Sequence, residues 1–230
     1  MDHTGHVPTT EALAVTGLLL AAGAAGAWGC PRLWSPPTEC RGCAGTAEVL
    51  LAGGCGEVVV VLGAGEREAR AALAGVGTGV EITVCAAWER GMGESLRTGI
   101  AALRERSARG ALIHLVDLPD VGAAVVRRLL GSASGPGALA RAAYDGVPGH
   151  PVLLGAHHFA GAAEQAAGDS GARAYLRRHR PVLGRVRGPC RRAARSRSAT
   201  YRARAPPPRR AIASVMRLPS TPGTGSSRAA

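Results

Sequence analysis

Four short stretches in the first half of the chain are almost unbroken in apolar character: VTGLLLA at 15–21, EVVVVLG at 57–63, VEITVCA at 80–86 and ALIHLVD at 111–117. A strand with one wet face alternates apolar and polar residues, whereas a strand covered on both faces has no need to. Between these runs the apolar residues recur at helical spacing, near 45–54, 66–75, 95–107 and 120–131. Strand and helix in alternation predict an α/β domain: a mostly parallel sheet between two helical layers. Further on, LARAAYDGVPGHPVLLG at 139–155 predicts two strands around an Asp145–Gly146 turn, followed by helical stretches near 157–167 and 170–179.

After residue 180 the pattern stops. Arg, Pro and Ser accumulate without periodicity, and such a segment buries too little apolar surface to offset the entropy of ordering it. We therefore divide the chain into an extension at 1–14, a domain at 15–180, and a tail at 181–230 that is disordered or the product of a shifted reading frame. Charge follows the same boundary. Residues 1–180 hold 16 Arg and 16 acidic residues, whereas residues 181–230 hold 12 Arg and no acid. The net charge of +12 thus belongs to the tail, and with Tyr201 its one aromatic residue, specific nucleic-acid recognition is not expected.

Six cysteines include one C-x-x-C, Cys40 and Cys43, with no second pair to complete a zinc site, so reduced thiols are the expectation. The apolar run from Val15 has no basic residue before it and is broken by Gly17, Gly23 and Gly26, which disfavours a secretion signal. No stretch is long and apolar enough for a membrane span, and the expected location is cytoplasmic.

Ligands of a parallel sheet collect beyond the carboxyl ends of its strands. Two segments are placed there. LAAGAAGAWGCPR follows the first strand, and its glycines allow backbone N–H groups to approach a phosphate; an ordinary glycine-rich turn fits equally well. Asp117 ends the fourth strand, where a carboxylate can hold Mg²⁺ on a triphosphate; helix capping, the alternative, suits Asp120 better. His114, mid-strand, reads as a satisfied core histidine.

The segments LLLAAG, AAWERGMGESLRTGIAAL, LVDLPDV, YDGVPGHPVLLG and GDSGARAYLRRH occur in this order over residues 15–180. Together they resemble the nucleotidyltransferases of the molybdenum cofactor cytidylyltransferase type. The resemblance implies a three-layer, Rossmann-like nucleotidyltransferase fold and transfer of CMP from CTP to molybdopterin, with Mg²⁺ and release of pyrophosphate. It assigns Leu20, Ala21, Ala22, Gly23, Gly29, Gly91, Gly93 and Ser95 to the nucleotide, and Arg32 and Asp117 to catalysis, with Asp117 holding the metal. Gly149, His150, Pro151, Asp169 and Arg173 fall on the acceptor side; for Asp169 an N-cap on the last helix is the structural alternative. A molybdenum hydroxylase or its chaperone is the implied protein partner.

Departures from the family pattern concentrate in two places. Its first loop, L-A-A-G-x-G-x-R-x-G-x-P-K, is kept at Leu20–Gly23, Gly29 and Pro31, while Ala25, Ala27 and Arg32 replace a glycine, an arginine and a lysine. Losing the arginine removes a charge-assisted contact to triphosphate, about 1.5–3 kcal/mol of binding. The family's closing acidic motif is missing, since no Asp or Glu follows Asp169. These losses keep other readings open: transfer of GMP or another nucleotide to a small phosphate, or a non-catalytic carrier of nucleotide or cofactor.

Overall fold

The computed structural model describes residues 15–23, 41–118 and 120–186. Seven strands, β1 (Val15–Ala21), β2 (Glu57–Leu62), β3 (Val80–Val84), β4 (Gly110–Leu115), β5 (Leu139–Tyr144), β6 (Val147–Gly155) and β7 (Val182–Val186), form one sheet in the order β3-β2-β1-β4-β6-β5-β7. β1 runs parallel to β2 and β4, β2 to β3, and β5 to β7; β6 alone is reversed, antiparallel to both β4 and β5.

Successive side chains of the central strands point to opposite faces, and both faces are dry. Leu18, Leu20, Val59, Val61, Ile113 and Leu115 enter one core; Leu19, Ala21, Val58, Val60, Leu62 and Leu112 enter the other. This is the reason the strands read as continuous apolar runs. The second core is closed by Cys43, Ala47 and Leu50 of α1 (Arg41–Ala52), Leu73 of α2 (Glu66–Leu73) and Val126 and Leu129 of α4 (Ala123–Leu130). The first is closed by α3 (Met92–Glu105), α5 (Phe159–Glu164) and α6 (Arg173–His179). On α3, Leu96, Ile100 and Leu103 recur at i, i+4, i+7 and are all buried, each contributing on the order of 1.5–3 kcal/mol.

The expected three layers are present, and the Asp145–Gly146 turn has φ of 50° and 78°, positive at both positions as a two-residue hairpin requires. Two expectations change. α3 begins at Met92 instead of near 95, so Gly91 becomes its N-cap. The sheet also continues past residue 180: β7 pairs in parallel with β5 from Ala140↔Val182 to Tyr144↔Val186. The sequence hid this strand because Val182 and Leu183 are exposed on an edge and Gly184 and Arg185 interrupt the apolar pattern. The rest of the tail, and the extension at 1–14, lie outside the described residues.

Candidate active site

The carboxyl ends of β1 and β4 meet a cleft of about 300 Å³. Its walls are Leu20, Ala22 and Gly23 from β1 and its exit, Leu115, Val116 and Asp117 from β4 and its exit, and Trp88, Glu89, Gly91, Met92 and Ser95 around the start of α3. Asp169, from the turn Gly168–Ser170, completes it. Thus Leu20, Ala22, Gly23, Gly91, Ser95, Asp117 and Asp169, singled out from the sequence, share one cavity. The ladder between β1 and β4 carries on into it, with Val116 N–H donating to Leu20 C=O at 3.4 Å. A second hollow, between Gln165, Ala174, Arg177 and Arg178, contains none of the residues singled out.

Neither carboxylate is explained by capping. α4 starts after Gly122 and α6 after Ala172, and no side chain caps either helix. Asp117 and Asp169 are both exposed, and both line the cleft. Magnesium is held through one or two carboxylates together with substrate phosphates, so this pair fits such an ion. Among the described residues no cluster of three or more His, Cys, Asp or Glu forms a metal cage.

The wall formed by Trp88 and Gly91 depends on two glycines. At Gly63, just after β2, a Cβ would stand 2.5 Å from Ala22 C=O and 2.6 Å from Trp88 Cγ, so only glycine lets Trp88 lie against the exit of β1. Gly91 has φ +104° and ψ 178°, outside the range of L side chains, and a Cβ there would stand 2.7 Å from Asp169 Oδ1. The N-terminus of α3 therefore opens onto the cleft with Asp169 packed against it. The amino end of a helix carries partial positive charge and favours anions.

Gly93 does not face the cleft: it lies against the backbone of Ala166 and Ala167, where a Cβ would be 2.9 Å from Ala167 N. Arg97 secures the same contact, donating to Ala166 C=O and pairing with Glu94 at 2.7 Å. The Arg97 hydrogen bond holds the Glu94 carboxyl below its ordinary pKa.

Ala21 is buried and directed into the opposite core, leaving only its backbone near the cleft. Gly149, His150, Pro151 and Arg173 are not among the cleft's walls. Tyr144 O–H donates to His150 C=O at 2.7 Å and Arg141 Nε to Gly149 C=O at 2.8 Å, where the β5–β6 register shifts between Arg141 and Ala143. Gly29 and Arg32, with Ala25 and Ala27, lie outside the described residues. Trp88, Glu89 and Met92 are wall residues that the sequence reading did not assign. Their signal was position, directly after the third apolar run and beside GMGES.

His114 is a correction. It is in the core at 0% exposure, yet neither ring nitrogen has a hydrogen-bond partner. Burial pushes its pKa down to about 3, and neighbouring His150 adds to the shift.

Residues 17–182 match the model of the MobA-like NTP transferase domain. The chain is 38% identical over 178 residues to nicotine blue oxidoreductase of Paenarthrobacter nicotinovorans, covering 73% of this chain and 84% of that one. A nucleotidyl transferase from Methanothermobacter thermautotrophicus superimposes with a TM-score of 0.61 at 19% identity, covering 76% of this chain and 88% of the other. Rv0371c of Mycobacterium tuberculosis gives a TM-score of 0.58 at 26% identity with coverage of 76% and 88%, and has also been solved as a manganese complex.

Proposed function

Since the chain belongs to the family of MobA-like NTP transferase domains, we propose that it transfers CMP from CTP to the phosphate of molybdopterin, releasing pyrophosphate. By family and fold the protein is of the nucleotidyltransferase type. The choice of CTP, molybdopterin and magnesium is our reading, and one observation carries it. The exit of β1, the N-terminus of α3, Asp117 and Asp169 line a single cleft at the carboxyl edge of the sheet.

In this reading an oxygen of the acceptor phosphate attacks the α-phosphorus of CTP. The bond from that phosphorus to the α–β bridging oxygen breaks, and the electron pair leaves with pyrophosphate. The acceptor is already a nucleophile, so the protein's work is alignment and stabilisation of charge. Backbone groups from Leu20 to Gly23 and the first turn of α3 receive the phosphates, and Ser95 lies within that turn's reach. Asp117 and Asp169 would hold Mg²⁺, which supplies positive charge to the leaving pyrophosphate when bound. Arg32 and Gly29 act from the first loop as the sequence resemblance implies. Gly149, His150, Pro151 and Arg173 serve the acceptor.

Pyrophosphate release from CTP, with reduced molybdopterin supplied, tests the reading directly. Wild-type protein should turn over, and Asp117→Ala should lose on the order of 10²–10³-fold, as when one group stabilising developing charge is deleted. Equal rates in the two proteins would reject it. Calorimetric titration with CTP, GTP and ATP in Mg²⁺ decides the base.

The 38% identity to a protein named as an oxidoreductase favours a second reading, in which the cleft seats a nucleotide redox cofactor. That version predicts bleaching of nicotine blue with a reduced nicotinamide dinucleotide and no pyrophosphate release.

A further inference from the structure

Between the end of α5 and the outer side of α6 lies a hollow of about 480 Å³ that shares no wall residue with the cleft. Among the described residues it is lined by Ala174, Arg177 and Arg178 of α6 and by Gln165, the C-cap of α5. The spacing accounts for its shape. Positions i, i+3 and i+4 fall on one face of a helix, so the small side chain of Ala174 leaves room beside two long ones. The volume lies within the range of about 300–1,000 Å³ typical of small-molecule sites.

Neither guanidinium is engaged. Arg70 pairs with Glu66, Arg97 with Glu94 and Arg106 with Glu81, but Arg177 and Arg178 make no hydrogen bond or ion pair with a described residue. No carboxylate is among the described walls of the hollow, and the carboxamide of half-buried Gln165 is equally unpaired. A helix dipole favours basic side chains in its last turn, which accounts for their sign. It does not account for the hollow, and His179 already serves the carbonyl end of α6, its Nδ1 donating to Tyr175 C=O at 2.9 Å. An arginine fork takes two oxygens of a phosphate at once. Two forks at one place supply a charge of two, which matches the roughly −1.5 to −2 of a phosphate monoester and exceeds that of a single carboxylate. The carboxamide both donates and accepts, so it suits a hydroxyl of the group that carries the phosphate.

We propose that the hollow between α5 and α6 binds a phosphate carried on a small molecule, Arg177 and Arg178 taking its oxygens and Gln165 a hydroxyl beside it. The site is separate from the cleft and stands whether or not nucleotide transfer does.

The test follows the backbone amide NMR signals of Gln165, Ala174, Arg177 and Arg178 in the full chain while ribose 5-phosphate is titrated at fixed ionic strength. Reading these amides keeps phosphate held by other arginines out of the measurement. Wild type should show saturating shifts with one dissociation constant. Arg177→Gln and Arg178→Gln should each weaken it at least fivefold, as should Ala174→Leu, which fills the hollow and keeps both charges. Arg67→Gln, exposed on α2, should leave it unchanged. Inorganic phosphate should bind more weakly than the ester, and ribose alone should give no saturation. Shifts that do not saturate in wild type, a loss below fivefold in either arginine variant, or an equal loss in Arg67→Gln overturns the site. Full affinity in Ala174→Leu removes it from the hollow, and inorganic phosphate binding as tightly as the ester overturns the claim for a carried phosphate. Should Ala174→Leu fail to fold, the two arginine variants, both at exposed positions, decide.

Discussion

At Gly91 a single missing side chain shapes the cleft, because the backbone sits at φ +104° and Asp169 Oδ1 occupies the place of a Cβ. Gly91→Ala should therefore cost about 1–3 kcal/mol in strain and displacement. Urea denaturation would give the stability and calorimetry the loss of nucleotide affinity; unchanged values in both would contradict the geometry. That Asp117 stands at the carboxyl edge of the sheet was legible from the apolar run before it. Trp88 was not, because its role depends on Gly63 being small, a contact between β2 and the turn after β3 that no local pattern encodes. The state of His114 was equally hidden: its position announces burial, but partners across a sheet cannot be read from one strand.

Elements explain how these residues are held. Arg97 clasps α3 to the segment that presents Asp169, through Ala166 C=O and the Glu94 pair. Arg97→Ala should speed amide hydrogen exchange across 166–170 and weaken nucleotide binding several-fold while leaving the sheet protected. Uniform exchange rates would remove the clasp from consideration. On β4, His114 is folded in as the neutral imidazole, whereas the unfolded chain protonates it below about 6.5. The unfolded state thus binds more protons as pH falls from 6.5 towards 3, and stability declines over that window. The slope is up to about 1.4 kcal/mol per pH unit for this one group. His114→Leu should flatten the profile measured by denaturant titration between pH 7 and 5; parallel curves would refute the assignment.

For the whole molecule, the apolar runs foretold the parallel core because burial on both faces leaves a mark in every residue of a strand. The edge leaves none. β7 was missed for that reason, and the sheet reaches Val186. Burial also sets thiol chemistry. Cys43, Cys55 and Cys85 are buried, and desolvation raises the Cys55 pKa to about 12. At pH 8 a thiol reagent should leave Cys55 unmodified in the native protein and label it only through opening of the fold. Mass spectrometry after brief labelling would read this, and rapid modification without denaturant would contradict the packing.

The reversal of β6 has an outcome for how this architecture can diversify. Because that strand alone runs backwards, its hairpin with β5 turns at Asp145–Gly146 on the same rim as the exits of β1 and β4. Residues gained or lost at this bend would re-contour the rim while every central hydrogen-bonded register stayed in place. The contour of the rim can then vary independently of the strand exits that line the cleft.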